Sequence, residues 1–149
     1  MNGIKLMVHS GLRDDTTLRT LLGHSADPYG VYQAMPPESL DLSTKSYVTW
    51  QFIQGVPEDT DAQGDPSMRR RHRVVSITAW SEDPDTVDSI HVRVRRIMIG
   101  AYGLTKPSSL AEVHGVTFEG DGPDLFDDEK KVYFRAETYR ISFREDIAA

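Results

Sequence analysis

The best candidate for metal chemistry is Asp59-Thr60-Asp61-Ala62-Gln63-Gly64-Asp65, with side-chain oxygens at alternate positions and glycine sixth, as an EF-hand calcium loop begins. The twelfth position of that frame is Arg70, where such a loop needs a bidentate glutamate. The flanks also pattern as strands where an EF-hand needs helices, so a solvated loop is the expected reading. A second acidic group, Asp121, Asp124, Asp127, Asp128 and Glu129, fits no ligand spacing. Clustered carboxylates act as an acid–base pair only where burial separates their pKa values, and only Leu125 and Phe126 are apolar there. A hydrated or partner-facing loop is favoured.

The histidines, at 9, 24, 72, 91 and 114, form no His-Glu-x-x-His pairing. His91 falls on the apolar stripe of a helix, where a packed ring with one satisfied nitrogen is expected ahead of a general base. No Gly-x-Ser-x-Gly elbow occurs, and Gly120-Asp121-Gly122, followed by Pro123 and lacking a third glycine, reads as a turn. The chain has no cysteine, which excludes disulfides, thiolate nucleophiles, thiolate zinc sites and iron–sulfur clusters. With no motif behind an enzymatic reading, neither catalysis, cofactor nor metal is expected.

Arg69-Arg70-Arg71-His72-Arg73 is the one dense basic run. It has no interleaved aromatics for stacking bases, and it follows closely on Glu58, Asp59, Asp61 and Asp65. Two readings stand side by side: complementary halves of a protein contact, or charge neutralisation within one hairpin. The net charge of −6 argues against nonspecific binding to polyanions.

The elements that would position these residues can be read from periodicity. Ile4, Met7 and Val8 in the segment Asn2 to Ser10, then Leu18, Leu21 and Leu22 after Asp15, predict a kinked helix or helical hairpin over 2–22, with Asp14 or Asp15 as cap and Gly23 as stop. Tyr29 to Met35, halted by Pro36 and Pro37, predicts an edge strand. Lys45 to Gly55 and Arg69 to Ser81 predict a hairpin across a long loop, and Val75, Ile77 and Ala79 alternate with Ser76, Thr78 and Trp80. Val87, Ile90, His91, Val94, Ile97 and Met98 recur at three- and four-residue steps behind Pro84, the clearest helix in the chain. Val113 to Glu119 and Lys131 to Arg144 predict two further strands, and the apolar phase of the last shifts near Glu137, which predicts a bulge or a change of face there. The sum is an α+β fold: a mostly antiparallel sheet of four to five strands packed against one long helix and an N-terminal helical segment, in one domain over 1–149. With 149 residues, 38% of them apolar, there is room for one such core. No apolar run approaches the roughly 20 residues needed to cross a bilayer, and the short run from Ile4 to Val8 soon meets His9, Ser10 and Gly11, so a soluble chain without signal peptide is expected.

Taken together, several segments carry a resemblance: Leu21-Leu22-Gly23 closing the helical start, Tyr29-Gly30-Val31-Tyr32 running into prolines, and Tyr47-Val48-Thr49-Trp50-Gln51. The strand Arg73 to Trp80 with its acidic exit into a Val/Ile helix, and the closing strand Val132 to Phe143, complete it. The layout resembles the siphophage tail terminator or tail completion (neck) protein family over nearly the whole chain, with a longer 56–68 loop and an irregular 101–114 segment as departures. The resemblance implies a non-enzymatic virion protein, assembled in the host cytoplasm, that forms a homo-oligomeric ring, a hexamer, at the head-proximal end of the tail. Implied partners are the tail tube protein, the head connector or stopper and, as a further candidate, the tape measure protein; DNA only passes through the channel, and no membrane is involved. Function then lies in surfaces: Glu58, Asp59, Asp61, Asp65, Arg69, Arg70, Arg71 and Arg73 on one hairpin, and Asp121, Asp124, Asp127 and Asp128 on one loop. Alternatives are another head–tail neck ring protein or a small dimeric α+β ligand-binding domain with a pocket between sheet and helix.

Overall fold

Apolar residues at every fourth position bury Ile4, Val8 and Leu12 along α1 (Gly3–Arg13). The computed structural model describes residues 3–35, 45–53, 58–59, 71–99 and 112–144. Asp15 then starts α2 (Thr16–Leu22), its carboxylate accepting from the Leu18 amide at 2.8 Å, and Gly23 ends it at φ 78°, a left-handed conformation that costs glycine little. The N-terminal segment is thus two helices, the second capped at both ends.

Seven strands follow in five columns: β1 (Val31–Gln33), β2 (Tyr47–Phe52), β4 (Arg71–Ser81), β7 (Val132–Arg144) and β5 (Glu112–Asp121), in that spatial order. Two short strands extend the columns, β3 (Glu58–Asp59) on β4 and β6 (Leu125–Asp127) on β7. Every pairing is antiparallel except one: β1 runs parallel to β2, with Val31 opposite Val48. The expected sheet of four to five strands is corrected accordingly. A junction of backbone bonds fastens this parallel edge, Val48 N donating to Gly30 O and Ser46 N to Leu22 O. Gly30 sits at φ +83°, where an added Cβ would meet the His24 ring at 2.6 Å.

The third helix, α3 (Pro84–Ile99), buries Val87, Ile90, His91, Val94, Ile97 and Met98, the stripe that periodicity predicts. Asp83 receives the Asp85 amide at 3.0 Å ahead of Pro84, which tolerates the first turn because its missing N–H would have had no partner there. All three helices share one core with a single face of the sheet, built on Val48, Trp50, Val75, Ile77, Ala79, Tyr139, Ile141 and Phe143. Among the described residues no helix is long and apolar enough to cross a membrane.

One further expectation is overturned. The β4–β7 register runs unbroken from Arg71 opposite Phe143 to Ser81 opposite Tyr133, so β7 has no bulge at Glu137. The extra residues lie on the other strand, β5, between Val113 and Gly115 and between Phe118 and Gly120. Glu137 keeps its place on the helix-facing side, and Phe134 and Ala136 belong to the opposite, open face.

Candidate assembly surfaces

Inside the core, Glu137 is the one buried carboxylate among the described residues, 0% exposed. The His91 Nε2 faces the Arg135 carbonyl at 2.7 Å and must donate, since a carbonyl can only accept. Its Nδ1 lies 2.9 Å from Glu137 Oε2 without the alignment of a hydrogen bond, a contact that is an ion pair only when the ring is protonated. Arg95 Nε donates to Glu137 Oε1 at 3.1 Å, and the Tyr139 hydroxyl reaches Oε2 at 3.4 Å. Burial alone would raise the Glu137 pKa, but the contacts from His91 and Arg95 outweigh it and hold the carboxylate below its ordinary value. Burial, with the neighbouring carboxylate, pushes the Tyr139 phenol up, so it stays a donor. Only Arg95, 43% exposed and stacked over the Phe118 ring at 4.5 Å, touches solvent. The cluster pins α3 to β7, and no substrate could reach His91 or Glu137 without opening the core. Sequence reading took Glu137 for a change of face; its place two residues before the core residue Tyr139 was the available signal.

The acidic loop is dispersed by the fold. Asp121 stands opposite Glu137 in the register, so its side chain shares the helix-facing side, where it adds to the field around Arg95. Asp124 pairs with Arg135 at 2.9 Å, and the same guanidinium reaches Asp88 of α3 at 2.5 Å. The Asp127 carboxylate accepts from the amides of Glu129 and Lys130 at 2.9 and 3.0 Å, closing the tight turn between β6 and β7. Asp128 and Glu129 are exposed at the hairpin tip and make no ion pair among the described residues.

Beside that tip lies an apolar cleft on the open face of the sheet, with a cavity volume of about 250 Å³. Its floor is Trp80 stacked on Phe134, ring centroids 4.6 Å apart, with Met35 and Leu125 as lips and Thr49, Gln51 and Thr78 along one wall. The Trp80 Nε1 donates to Thr49 Oγ1 at 2.9 Å, which fixes the floor ring, and Lys130 Nζ lies 5.9 Å from that ring. Met35 is 64% exposed and Leu125 46%. Residue composition hinted at this cleft only through Leu125-Phe126.

At the far end of β4, the register sets Asp59 opposite Arg71 and Glu58 opposite His72. The Arg73 guanidinium lies 4.5 Å over the Phe52 ring. Asp61, Asp65, Arg69 and Arg70, and with them most of the calcium-like loop, lie outside the described residues. The two surface groups are not neighbours: Arg71 and Trp80 are nine strand positions apart, about 30 Å at roughly 3.3 Å per residue. No group of three or more His, Asp or Glu among the described residues is placed to hold a metal ion.

Comparison with known proteins gives one line of likeness. No family profile matches the chain, and no curated protein does. Among solved structures, the chain is similar to a chain from the virion of a native gene transfer agent particle, with a TM-score of 0.64 and 19% identity, over 92% of this chain and 91% of that one. At that identity the match establishes a shared fold.

Proposed function

We propose that this chain is a structural virion protein of a long-tailed phage or phage-like particle, acting as a single-domain subunit of a ring at the head-proximal end of the tail. There it ends tail tube growth and joins the tail to the head connector. The observation that carries this reading is the fold shared, along nine-tenths of both chains, with a component of a gene transfer agent virion. The surface supports it. The polar groups that could do chemistry are shut inside the core at His91 and Glu137, while an apolar cleft and the charged tip at Asp128 and Glu129 are turned outward. A ring closes through unlike surfaces repeated head to tail, and its closure limits the assembly to one layer. A hexamer follows from the tail terminator resemblance, with tube protein on one side and connector on the other. Another neck ring protein would use the same fold and surfaces.

Native mass spectrometry and class averages of negatively stained particles test the reading. The expected result is a ring of defined copy number with a central channel. A compact dimer, or a monomer at every concentration, overturns it.

A further inference from the structure

Two exposed apolar features stand on opposite sides of the two-layer molecule. One is the cleft on the open face of the sheet, floored by Trp80 and Phe134; the hairpin tip whose Lys130 lies 5.9 Å from the Trp80 ring also carries the exposed acids Asp128 and Glu129. The other is the solvent side of α3. Val92 is 57% exposed and Ile99 lies seven residues on, two turns along the same side. Arg96 falls between them and makes no ion pair among the described residues. Arg95 is engaged by Glu137, and Asp88 by Arg135, so Arg96 is the cation this stripe has to offer.

We propose that the occupant of the cleft is a second copy of this chain, which lays its Val92–Arg96–Ile99 stripe across the open face so that an apolar side chain enters beside Trp80 and Arg96 meets Asp128 and Glu129. Charge decides the partner. The apolar stripe carries a free cation, and the hairpin tip beside the cleft carries the exposed acids Asp128 and Glu129, with Lys130 turned over the Trp80 ring and Lys131 following it. Burying apolar surface supplies the drive, and the ion pairs supply register. Because stripe and cleft belong to opposite layers, no two-fold axis can relate them within one contact. The contact is heterologous, each copy offers one half to the next, and repetition closes a ring if the rotation per copy divides a full turn. The inference rests on the ring reading only in requiring that copies meet head to tail.

The chain has no cysteine, so cysteines can be introduced on a silent background. Val92→Cys and Leu125→Cys are made singly and together, and the assembled protein is treated with a short flexible bis-maleimide. The double variant is expected to give a ladder of covalent multimers ending at the ring's copy number, and each single variant only monomer. Cross-linked dimers from a single variant indicate a two-fold contact through one patch and overturn the proposal. A ring whose double variant gives no ladder overturns the contact and leaves the ring standing, whereas an uncross-linked monomer at every concentration removes the ring reading itself. Charge exchange gives a second readout: Arg96→Glu is expected to lose the ring while keeping its helical circular dichroism, and Arg96→Glu with Asp128→Arg and Glu129→Arg to regain it. Failure of the triple variant to reassemble overturns the assigned register.

Discussion

Replacing Glu137 with glutamine keeps the size of the side chain and removes its charge, which isolates what the buried cluster contributes. The Arg95 pair is nearly half exposed, so solvent screens it and its share stays below about 1 kcal/mol. The Tyr139 contact at 3.4 Å is long and adds only tenths. His91, shut in the core 2.9 Å from Oε2, carries the rest, about 1–2 kcal/mol for a buried polar group that loses its partner. Glu137→Gln is therefore expected to lose about 2–3 kcal/mol, lowering Tm by roughly 5–10 °C for a chain of this size. Urea titration followed by tryptophan fluorescence measures it. The double replacement His91→Leu and Glu137→Leu removes both members, leaves no orphaned charge, and should cost less than the sum of its singles. The pH profile supplies the sign. The folded pKa of Glu137 lies below its ordinary value of 4.5, so the stabilisation is complete above that pH and disappears as pH falls through the folded value. The glutamine variant should lack that limb. A Gln variant within about 0.5 kcal/mol of wild type, or strictly additive leucines, would refute the cluster as the pin between α3 and β7.

Asp15 serves two elements, capping α2 and gripping Arg93 of α3 at 2.7 and 3.0 Å. Asp15→Ala should cost about 1–3 kcal/mol in denaturant titration, and Asp15→Asn, which keeps the cap but not the ion pair, roughly half of that. Trp50 Nε1 donates to His9 Nδ1 at 3.1 Å, which requires that nitrogen to be unprotonated. Burial, aided by Arg13, holds His9 below its ordinary 6.5, so this stabilisation is complete above pH 6.5 and lost as pH falls through the folded value. A His9→Leu variant should lose that acid phase in pH-dependent thermal unfolding.

The parts of the fold that were legible are those whose signal is local. The α3 stripe, the Asp15 cap and the Gly23 stop each depend on residues within a few positions, and each appears as expected. Long-range choices were not legible. The parallel pairing of Val31 with Val48 depends on a chain reversal that no local pattern encodes, and three-residue β6 is held only by its register on β7. Near Trp80 both faces of the sheet are apolar, so Phe134 and Ala136 looked like core residues and Glu137, a true core position, looked like a break. A charge inside the core erases the periodicity that would reveal it. The acidic loop misled for the opposite reason: composition counts carboxylates, but only coordinates show that Asp124 is paired, that Asp127 closes a turn, and that Asp128 and Glu129 are left over.

The two ends of β4 then carry different work under the proposed contact. A subunit in a ring meets its neighbours through its broad layers and the structures above and below through its remaining rims. The cleft and the α3 stripe occupy the broad layers, while β4 begins at Arg71, nine register positions and about 30 Å from Trp80, and under the proposed contact the Arg69-Arg70-Arg71 run is assigned to an axial partner. Reversing all three to glutamate removes three positive charges and adds three negative ones at that end, with Asp59 already opposite Arg71 in the register. The β3–β4 pairing should loosen by no more than about 1 kcal/mol, the upper range for one cross-strand pair. Ring mass should therefore stay unchanged while co-sedimentation with tail tubes falls and its salt dependence flattens. A variant that folds but loses its ring places the basic run in the lateral contact and refutes this division. One that binds tubes as wild type does leaves those arginines as solvated charges, neutralised within their own hairpin.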